Sequence, residues 1–340
     1  MRTLKMLCMI VITLFTLTSP TRGAILKVLE DYTTIQDAIN AAKNGDRIMV
    51  SEGTYHENLE INGKNISLIA VGDVTIDGST NGYYDRTIFI RNAICTIDGF
   101  TVKHNGSAIY ARGMASYDDS EVDVTILNNS VTDYIKNGIT VNGELATGRV
   151  RGNEVVTVPD PEVAQNGIQF GYGAKGLIQE NSVSTDWYSG EDWTACGILI
   201  FESDKVTVQQ NDISDAQTGI GIETWGWFCP SASDNIVIKN TIENSDWGIT
   251  ITAVSWDGYS TMDCYANNNR VTNNTVTVEE EGIGQIGIYI GAYDNSVTYT
   301  PEADNNKTIA NIISGFDEDF VDEATTTKEH ANNRPKPMNE

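Results

Sequence analysis

A short motif recurs along the chain and constrains its fold more than any other feature of the sequence. The motif is [Val/Ile]-x-x-Asn-x-[Val/Ile], and it occurs six times. Its asparagines are Asn129, Asn153, Asn181, Asn211, Asn240 and Asn274. A degenerate copy, Ile97–Val102, carries Phe100 where the asparagine would stand. Self-similarity at a period of 20–50 residues indicates a repeat architecture.

Between successive copies lies a second apolar segment, Gly-Ile-x-[Ile/Val/Phe]. These segments begin at Gly138, Gly167, Gly197, Gly219, Gly248 and Gly287. Strands of this length alternate inward and outward, so every repeat contributes a few Ile or Val side chains to an interior and bonds only to the repeats above and below. The sequence therefore predicts a parallel β-solenoid. We expect the recurring asparagines to be structural, because Asn tolerates a left-handed turn and its amide can reach the same group one coil away.

A helix is predicted ahead of the coils, over residues 34–44. Its apolar stripe consists of Ile35, Ala38, Ile39 and Ala42. Thr34 and Asp37 form a capping box at its start, and Gly45 ends it. A solenoid needs such an element to cover its open end.

The first 23 residues have the layout of a secretory signal peptide. Arg2 and Lys5 precede an apolar run over residues 6–17, and this run is shorter than the roughly 20 residues that a membrane span requires. We therefore expect a secreted or cell-surface protein with no integral membrane span after removal of the signal.

Charge excludes two classes of partner. Lys and Arg number 22 against 47 Asp and Glu, which gives a formal net charge of −25. A protein that binds nucleic acid or an anionic membrane needs a basic surface.

The predicted solenoid domain covers residues 24–315, and the acidic and then Asn/Pro/Lys-rich segment 316–340 is predicted to be disordered.

Several segments resemble the start of the pectin-lyase-like right-handed parallel β-helix superfamily. They are 33–39, 45–50, Gly53-Thr54-Tyr55-His56-Glu57-Asn58, Ile76-Asp77-Gly78 and Ile97–Val102, and with the later repeats the resemblance covers roughly residues 30–315. It implies an all-β fold: a single-stranded right-handed parallel β-helix of about ten coils with an N-terminal capping helix. The reaction stays open, because the superfamily includes lyases, hydrolases, esterases, epimerases and non-catalytic surface proteins.

Motifs of the best-known catalytic branches are absent. The stretch Gly53–Glu57 is similar to the first motif of pectin methylesterases, but the downstream motifs that carry their catalytic carboxylates are missing. The polygalacturonase signatures and the Trp-Ile-Asp-His segment of common pectate lyases are missing as well. An esterase is therefore a distant third hypothesis.

Aromatic residues are concentrated in long loops of the C-terminal half. All six Trp residues fall between positions 187 and 256, and the coils that start at Gly219 and Gly248 carry insertions at one corner. Another insertion, 186–193, rises at the opposite end of the Gly-Ile strands. The residues predicted to bind sugar in the cleft between these walls are Trp187, Trp193, Trp225, Trp227, Trp247, Trp256, Tyr259 and Phe201. A simpler alternative is that the Trp residues only pack the loops onto the solenoid.

Two neighbouring insertions also carry Cys229 and Cys264, which we expect to form a disulfide.

Strand alternation places one carboxylate at the centre of this cleft. If the isoleucines of the Gly-Ile strands face inward, Glu223 faces outward, with Glu202 at the turn one coil earlier. Glu223 is predicted to do acid/base work together with Glu202 or Asp246. Asp246, Asp257, Asp192 and Asp204 are alternative acids or ligands for a possible Ca²⁺. Few cations lie near the cleft in sequence: Lys175, Lys205, Lys239 and Arg270.

These patterns favour a secreted polysaccharide-active β-helix protein, a glycoside hydrolase or polysaccharide lyase, whose partner is a polysaccharide or other glycan. The alternative is a non-catalytic surface or matrix protein that binds glycan or another partner.

Overall fold

The computed structural model describes residues 23–78, 85–103, 106–114, 121–157, 160, 162–190, 194–258, 260–279, 283–296, 298–324 and 329–333. Residues 1–22 of the expected signal peptide lie outside the described residues. Over the described part the chain is a right-handed parallel β-helix with one short α-helix, as predicted.

The strands, in chain order, are β1 Ile25–Val28, β2 Arg47–Tyr55, β3 Leu59–Asn62, β4 Ile66–Asp77, β5 Arg86–Arg91, β6 Ala93–Asp98, β7 Thr101–Lys103, β8 Ser107–Arg112, β9 Val122–Leu127, β10 Ser130–Thr132, β11 Asn137–Asn142, β12 Ala146–Arg151, β13 Glu154–Val156, β14 Asn166–Gly171, β15 Lys175–Gln179 and β16 Ser182–Ser184. The later strands are β17 Cys196–Phe201, β18 Val206–Gln209, β19 Asp212–Ser214, β20 Thr218–Thr224, β21 Ile236–Ile238, β22 Thr241–Glu243, β23 Trp247–Trp256, β24 Cys264–Tyr265, β25 Arg270–Thr272, β26 Thr275–Thr277, β27 Ile286–Asn295, β28 Pro301–Glu302, β29 Lys307–Ser314, β30 Glu318–Asp322 and β31 Glu329–Asn333.

Each coil contributes one strand to a ten-stranded parallel sheet, ordered β3-β5-β8-β11-β14-β17-β20-β23-β27-β30. This order confirms the predicted ten coils. A 19-stranded sheet forms the other faces as two ladders, one through β6, β9 and β12 and one through β7, β10 and β13. The long strands β4 and β29 belong to both ladders and join them at the two ends.

The interior is a continuous column of aliphatic side chains. Residues of the same register stack from coil to coil: Ile198 pairs with Ile220, and Ile220 pairs with Ile249. All three are fully buried. The predicted inward alternation of the Gly-Ile strands is confirmed, and it leaves the intervening side chains on the outer face of the ten-stranded sheet.

The recurring asparagines form the predicted ladder. Each side-chain amide donates to the side-chain oxygen of the asparagine one coil further on, as in Asn181 Nδ2 to Asn211 Oδ1 at 2.9 Å and Asn211 Nδ2 to Asn240 Oδ1 at 2.9 Å. The ladder runs from Asn129 to Asn274 and continues to Asn311. At Phe100, where the motif lacks asparagine, the backbone N–H still donates to Asn129 Oδ1. A second ladder joins Asn235, Asn269 and Asn306.

The left-handed turn lies one residue earlier than expected. Gln210, Lys239 and Asn273 have φ values of 55°, 58° and 57°, and each immediately precedes a ladder asparagine. The left-handed residue turns the chain, and the following asparagine then points its amide into the interior. The prediction of structural asparagines is thus confirmed, but the left-handed position belongs to their neighbours.

The N-terminal cap is a helix over Ile35–Ala41, which ends before the expected Gly45. Thr34 is the N-cap, and its side chain accepts a hydrogen bond from the backbone N–H of Asp37 at 3.0 Å. The carboxylate of Glu57 accepts the backbone N–H groups of Ile35 and Gln36 at 2.9 Å each. Glu57, which suggested the esterase hypothesis, therefore caps the helix.

The prediction of a disordered tail is wrong for part of residues 316–340. Glu318–Asp322 forms β30, which pairs with β27 as the tenth strand of the sheet. The sequence pattern did not indicate this strand, because its only apolar residues are Phe320 and Val321. Main-chain pairing to the preceding coil stabilises a strand whose side chains are mostly polar.

Candidate functional site

A cavity of about 560 Å³ opens on the outer face of the ten-stranded sheet. Its floor is formed by outward side chains of successive strands: Gln169, Leu199, Phe201, Glu223 and Thr252. Its walls include Tyr172, Trp225 and Trp227 on one side, Lys136, Asn166, Tyr188 and Thr194 on another, and Tyr293. Of the residues that the sequence predicted for a cleft, Phe201, Glu223, Trp225 and Trp227 line this cavity.

Glu223 lies in the floor of the cavity, as strand alternation predicts. It pairs in register with Phe201 on one side and Thr252 on the other. A Cβ on Gly221 would lie 3.0 Å from Glu223 Oε1 and 3.3 Å from Cys196 Sγ. The absence of a side chain at Gly221 therefore gives the carboxyl group room on the sheet surface.

Burial raises the pKa of Glu223 to about 7. Hydrogen bonding by the Trp225 side chain acts in the opposite direction, toward a lower pKa. The residue is half-buried in a largely aromatic surrounding, which disfavours the charged form. A carboxyl group of this pKa exists in both protonation states at neutral pH, as acid/base catalysis requires.

The raised pKa of Glu223 predicts a pH-dependent stability difference between the parent and Glu223→Gln. Between about pH 4.5 and pH 7, Glu223 keeps its proton in the folded protein but loses it in the unfolded chain. The free energy of unfolding of the parent therefore falls, relative to that of Glu223→Gln, as pH rises through this range, and the difference stays constant above about pH 7. A fully buried group would make this difference about 3 kcal/mol, and partial solvation reduces our expectation to about 1–2 kcal/mol. Denaturant unfolding of both proteins between pH 4 and 9 measures it. A difference that does not change with pH would contradict the assignment.

An aromatic cluster forms one wall of the cavity. Tyr172 packs edge-on against Phe201, with ring centroids 5.5 Å apart, and against Phe228, at 5.1 Å. Trp227 packs in the same manner against Phe201 and Trp225, at 5.6 and 5.5 Å. Phe228 is 54% exposed and Trp225 only 7%. Packing therefore accounts for Trp225, whereas Phe228 presents its ring to solvent beside the cavity.

Glu202, one of the predicted acid/base partners, holds this wall in place. Its side chain is fully buried and accepts the backbone N–H groups of Trp227, Phe228 and Cys229 at 2.6, 2.9 and 3.1 Å. Burial raises the pKa of Glu202, and the backbone hydrogen bonds oppose that rise. The carboxylate fixes the aromatic loop through these three bonds, and Glu202 is not part of the cavity lining.

Asp246, the other predicted partner, has a comparable structural role at a different corner. It is 7% exposed and accepts Gln285 N at 3.3 Å and Gln285 Nε2 at 2.7 Å. These bonds tie β23 to the coil that follows. Of the three predicted catalytic carboxylates, Glu223 lines the cavity, whereas Glu202 and Asp246 bond to neighbouring loops.

The other aromatic residues predicted to bind sugar are dispersed. Trp256 packs behind Trp225, with centroids 4.9 Å apart, and Trp247 packs on Tyr289 at 5.4 Å. Trp187 is half-buried in the loop before β17, where Gln217 Oε1 accepts the backbone N–H of the next residue, Tyr188, at 3.2 Å. Trp193 and Tyr259 lie outside the described residues.

The predicted disulfide is not formed. Among the described cysteines, which are Cys95, Cys196, Cys229 and Cys264, none is joined to another in a disulfide. The Cys264 side chain is fully buried and donates to the carbonyl oxygen of Val254 at 3.3 Å. Its thiol therefore points into the core, and the prediction from neighbouring loops was wrong.

Two further features of the described residues bear on cofactors and membranes. They contain no group of three or more His, Cys, Asp or Glu side chains arranged to hold a metal ion. Asp192, one of the proposed calcium ligands, lies outside them. In the same part of the chain, no helix has the length and apolar character to cross a membrane.

Several cavity residues were missed from sequence. Lys136 precedes β11, and its ammonium group donates to the carbonyl oxygen of Ala164; burial lowers its pKa to about 8. Tyr188 belongs to the insertion 186–193, which lacks the repeat motif, and Tyr293 lies near the end of the strand that begins with the Gly287 segment, in register with Val254. Gln169 could have been found, because it occupies the same outward register as Leu199.

A family model described as a right-handed β-helix region matches residues 116–308. Comparison with curated proteins finds no significant match in sequence. Solved structures of similar fold include a polygalacturonase from Erwinia carotovora ssp. carotovora, with 13% identity, a TM-score of 0.55 and coverage of 94% of this chain and 99% of that one. The periplasmic alginate epimerase AlgG has 12% identity, a TM-score of 0.57 and coverage of 92% and 85%. XylC, solved in complex with xylose, has 12% identity, a TM-score of 0.54 and coverage of 88% and 69%. At these sequence identities, the similarity shows a shared fold and no shared activity.

Proposed function

This chain belongs to the family of right-handed β-helix proteins, and on that premise we propose that its cavity is the sugar-binding site of a polysaccharide-active enzyme, a glycoside hydrolase or a polysaccharide lyase. One observation carries the proposal: Glu223, with a pKa near 7, lies in the floor of an aromatic-walled cavity on the open face of the solenoid. Two proteins of similar fold, a polygalacturonase and an alginate epimerase, are enzymes named for polysaccharide substrates.

The lining of the cavity suits a sugar. Aromatic rings stack on the apolar faces of pyranoses, and exposed Phe228 beside half-buried Trp227 offers such rings at the wall. Asn166, Gln169 and Thr252 supply donors and acceptors for hydroxyl groups. This combination of apolar walls and a few convergent polar groups is typical of a small-molecule site.

Glu223 is the group we assign to proton transfer. When protonated, its carboxyl group can donate a proton to the oxygen of the leaving sugar. Lys136, whose pKa of about 8 leaves a fraction of it neutral near that pH, and Glu162 also line the cavity, and we assign the role of its partner to one of these two side chains. A retaining or inverting hydrolase would use the second carboxylate, whereas an elimination would use a base that removes a carbon-bound proton.

The second candidate is a non-catalytic glycan-binding surface protein. A specific observation favours it: both carboxylates expected to accompany Glu223 are engaged by neighbouring N–H groups. The same cavity would then bind sugar without cleaving it. For either candidate we propose a secreted or cell-surface location.

An activity screen tests the proposal. The purified protein is incubated, with and without Ca²⁺, with neutral and acidic polysaccharides, and both new reducing ends and the absorbance of unsaturated uronates are measured. We expect product formation on at least one substrate; reducing ends alone indicate a hydrolase, and both signals together indicate a lyase. No product across the panel, from protein shown to be folded, would move the assignment to the non-catalytic candidate.

A further inference from the structure

A column of mostly polar residues lies at the corner where the coils enter the ten-stranded sheet. The residues that immediately precede β11, β14, β17, β20, β23 and β27 are Lys136, Gln165, Ala195, Gln217, Asp246 and Gln285. We call them the corner column. The strands that they precede are paired in register, and the backbone carbonyl of each of the first five accepts an N–H from the next coil. The corner column thus places polar side chains beside the loops of this corner.

Gln217 is the member of the corner column that bonds to the loop before β17. Its Oε1 accepts the backbone N–H groups of Tyr188 at 3.2 Å and of Ala195 at 3.0 Å. Its Nε2 donates to the backbone carbonyl oxygen of Tyr188 at 3.3 Å. One side-chain amide therefore ties together two points of the loop, and it uses both its acceptor and its donor to do so.

The points that Gln217 holds carry residues of the cavity. Tyr188 and Thr194 line the cavity, and Thr194 directly precedes Ala195. We call Tyr188, Thr194 and Ala195 the Tyr188 wall. A Cβ on Gly190 would overlap with the ring and hydroxyl of Tyr188, so the glycine provides the space into which this ring folds. Gln217 itself is not part of the cavity lining and acts on the cavity through the Tyr188 wall.

A second glutamine of the corner column has the same role two coils earlier. Gln165 Nε2 donates to the backbone carbonyl oxygens of Tyr134 and Ile135 at 3.1 Å each, and its Oε1 accepts the Thr157 hydroxyl at 2.7 Å. Like Gln217, it reaches back to the corner segment of the preceding coil. The repetition in register indicates that the bonds of Gln217 are a feature of the coil geometry.

The two walls of the cavity are held by different groups. Glu202, which directly follows β17, accepts three N–H groups of the aromatic loop. Gln217, which directly precedes β20, holds the Tyr188 wall. Glu223 lies on β20, on the floor of the same cavity. Loss of one of these holding groups should therefore disturb one wall and leave the floor and the other wall in place.

We propose that Gln217 is a positioning residue of the sugar site: it fixes the Tyr188 wall so that Tyr188 and Thr194 contact the bound sugar. The inference rests on the proposed function and adds a residue to it. Because Gln217 acts on the wall and not on the carboxyl group of Glu223, it sets the affinity of the site and not the rate of the chemical step.

Hydrogen exchange tests the holding role without any ligand. In Gln217→Ala, the backbone amides of Tyr188 and Ala195 lose their acceptor, and we expect them to exchange at least about tenfold faster than in the parent protein. Gln217→Met keeps the length of the side chain without its three bonds and should give the same result. Gln285→Ala is the matched control, since Gln285 belongs to the corner column but donates to Asp246 Oδ2 at 2.7 Å. It should leave both amides unchanged.

Binding and turnover test the role in the sugar site. The probes are hexasaccharides of galacturonate, mannuronate and xylose, and binding is measured by calorimetry in a Glu223→Gln background. For any probe that binds, Gln217→Ala is expected to raise Kd by about 5-fold to 50-fold. On the polysaccharide that the parent cleaves, Gln217→Ala should raise KM by a similar factor and change kcat by less than about threefold. Thermal unfolding shows that each variant is folded.

Two further variants distinguish positioning of the wall from a general loss of structure. Gln217→Glu keeps oxygens that accept both N–H groups and should bind within about threefold of the background protein. In a Tyr188→Ala background, Gln217→Ala should weaken binding by less than about twofold, because the side chain that it positions is already absent.

The outcomes separate this inference from the proposed function. Unchanged exchange of the Tyr188 and Ala195 amides in folded Gln217→Ala and Gln217→Met overturns the inference, as does an undiminished effect of Gln217→Ala in the Tyr188→Ala background. A loss of kcat with unchanged KM overturns it as well. If none of the probes binds to the Glu223→Gln protein and the parent cleaves no polysaccharide, the proposed function fails, and faster exchange of the two amides then still supports Gln217 as the group that holds this wall.

Discussion

Glu223→Gln is expected to lower turnover of the susceptible glycan by about 10²-fold to 10⁴-fold without loss of the fold, because it removes the proton-transferring group and keeps its shape. Glutamine has nearly the same volume and presents a neutral group where the carboxyl is partly protonated at neutral pH. Affinity for the glycan should change little, since the aromatic wall and the polar floor are untouched. Steady-state rates and calorimetric binding, measured side by side, separate the two effects.

Glu154→Gln is a suitable control for this experiment. Glu154 is an exposed glutamate of β13, on a different face from the cavity, so the same chemical change should leave turnover unchanged. Unchanged turnover in folded Glu223→Gln would remove the proposed role of this carboxyl, and a parallel loss in Glu154→Gln would show that the effect is not specific to the cavity.

Asn211→Ala is expected to destabilise the protein by about 3–5 kcal/mol, a large change for one side chain. The fully buried Asn211 amide accepts from the backbone and side chain of Asn181 and donates to Asn240 and the carbonyl oxygen of Ile178. Truncation leaves these groups buried without a partner, and each costs about 1–3 kcal/mol, partly relieved by relaxation or water. Because each coil contacts only its neighbours, the defect interrupts the column at its centre.

Denaturant unfolding measures this difference, and Asn62→Ala provides the matched control. Asn62 is an exposed asparagine at the end of β3, and its replacement is expected to change stability by no more than about 0.5 kcal/mol. Comparable small effects of both substitutions would show that the ladder contributes little to stability.

The solenoid could be predicted from sequence because its repeating unit is short and its physical requirements are local. The spacing of Asn129, Asn153 and Asn181 reflects one amide per coil, and the alternation of the Gly-Ile strands places Ile220 inside and Glu223 outside. Neither inference needs knowledge of distant contacts. The helix before the coils followed from its cap, Thr34.

The parts that were missed depend on where loops and side chains meet. The turn residue Glu202 precedes the Trp227 loop by one coil, but nothing in the spacing shows that its carboxylate lies under the loop and accepts three N–H groups. The sequence likewise does not show that the Cys264 thiol points into the core, where it donates to the carbonyl oxygen of Val254.

The central claim is that the cavity around Glu223 binds a sugar chain for chemistry at that residue. A crystal structure of the Glu223→Gln protein with the longest oligosaccharide it binds tests this most directly. The account predicts a sugar unit inside the cavity, packed on the aromatic wall of Trp227 and Phe228, with a sugar oxygen within about 3 Å of the substituted side chain. An ordered oligosaccharide on another face of the solenoid, or an empty cavity at saturating ligand, would contradict it.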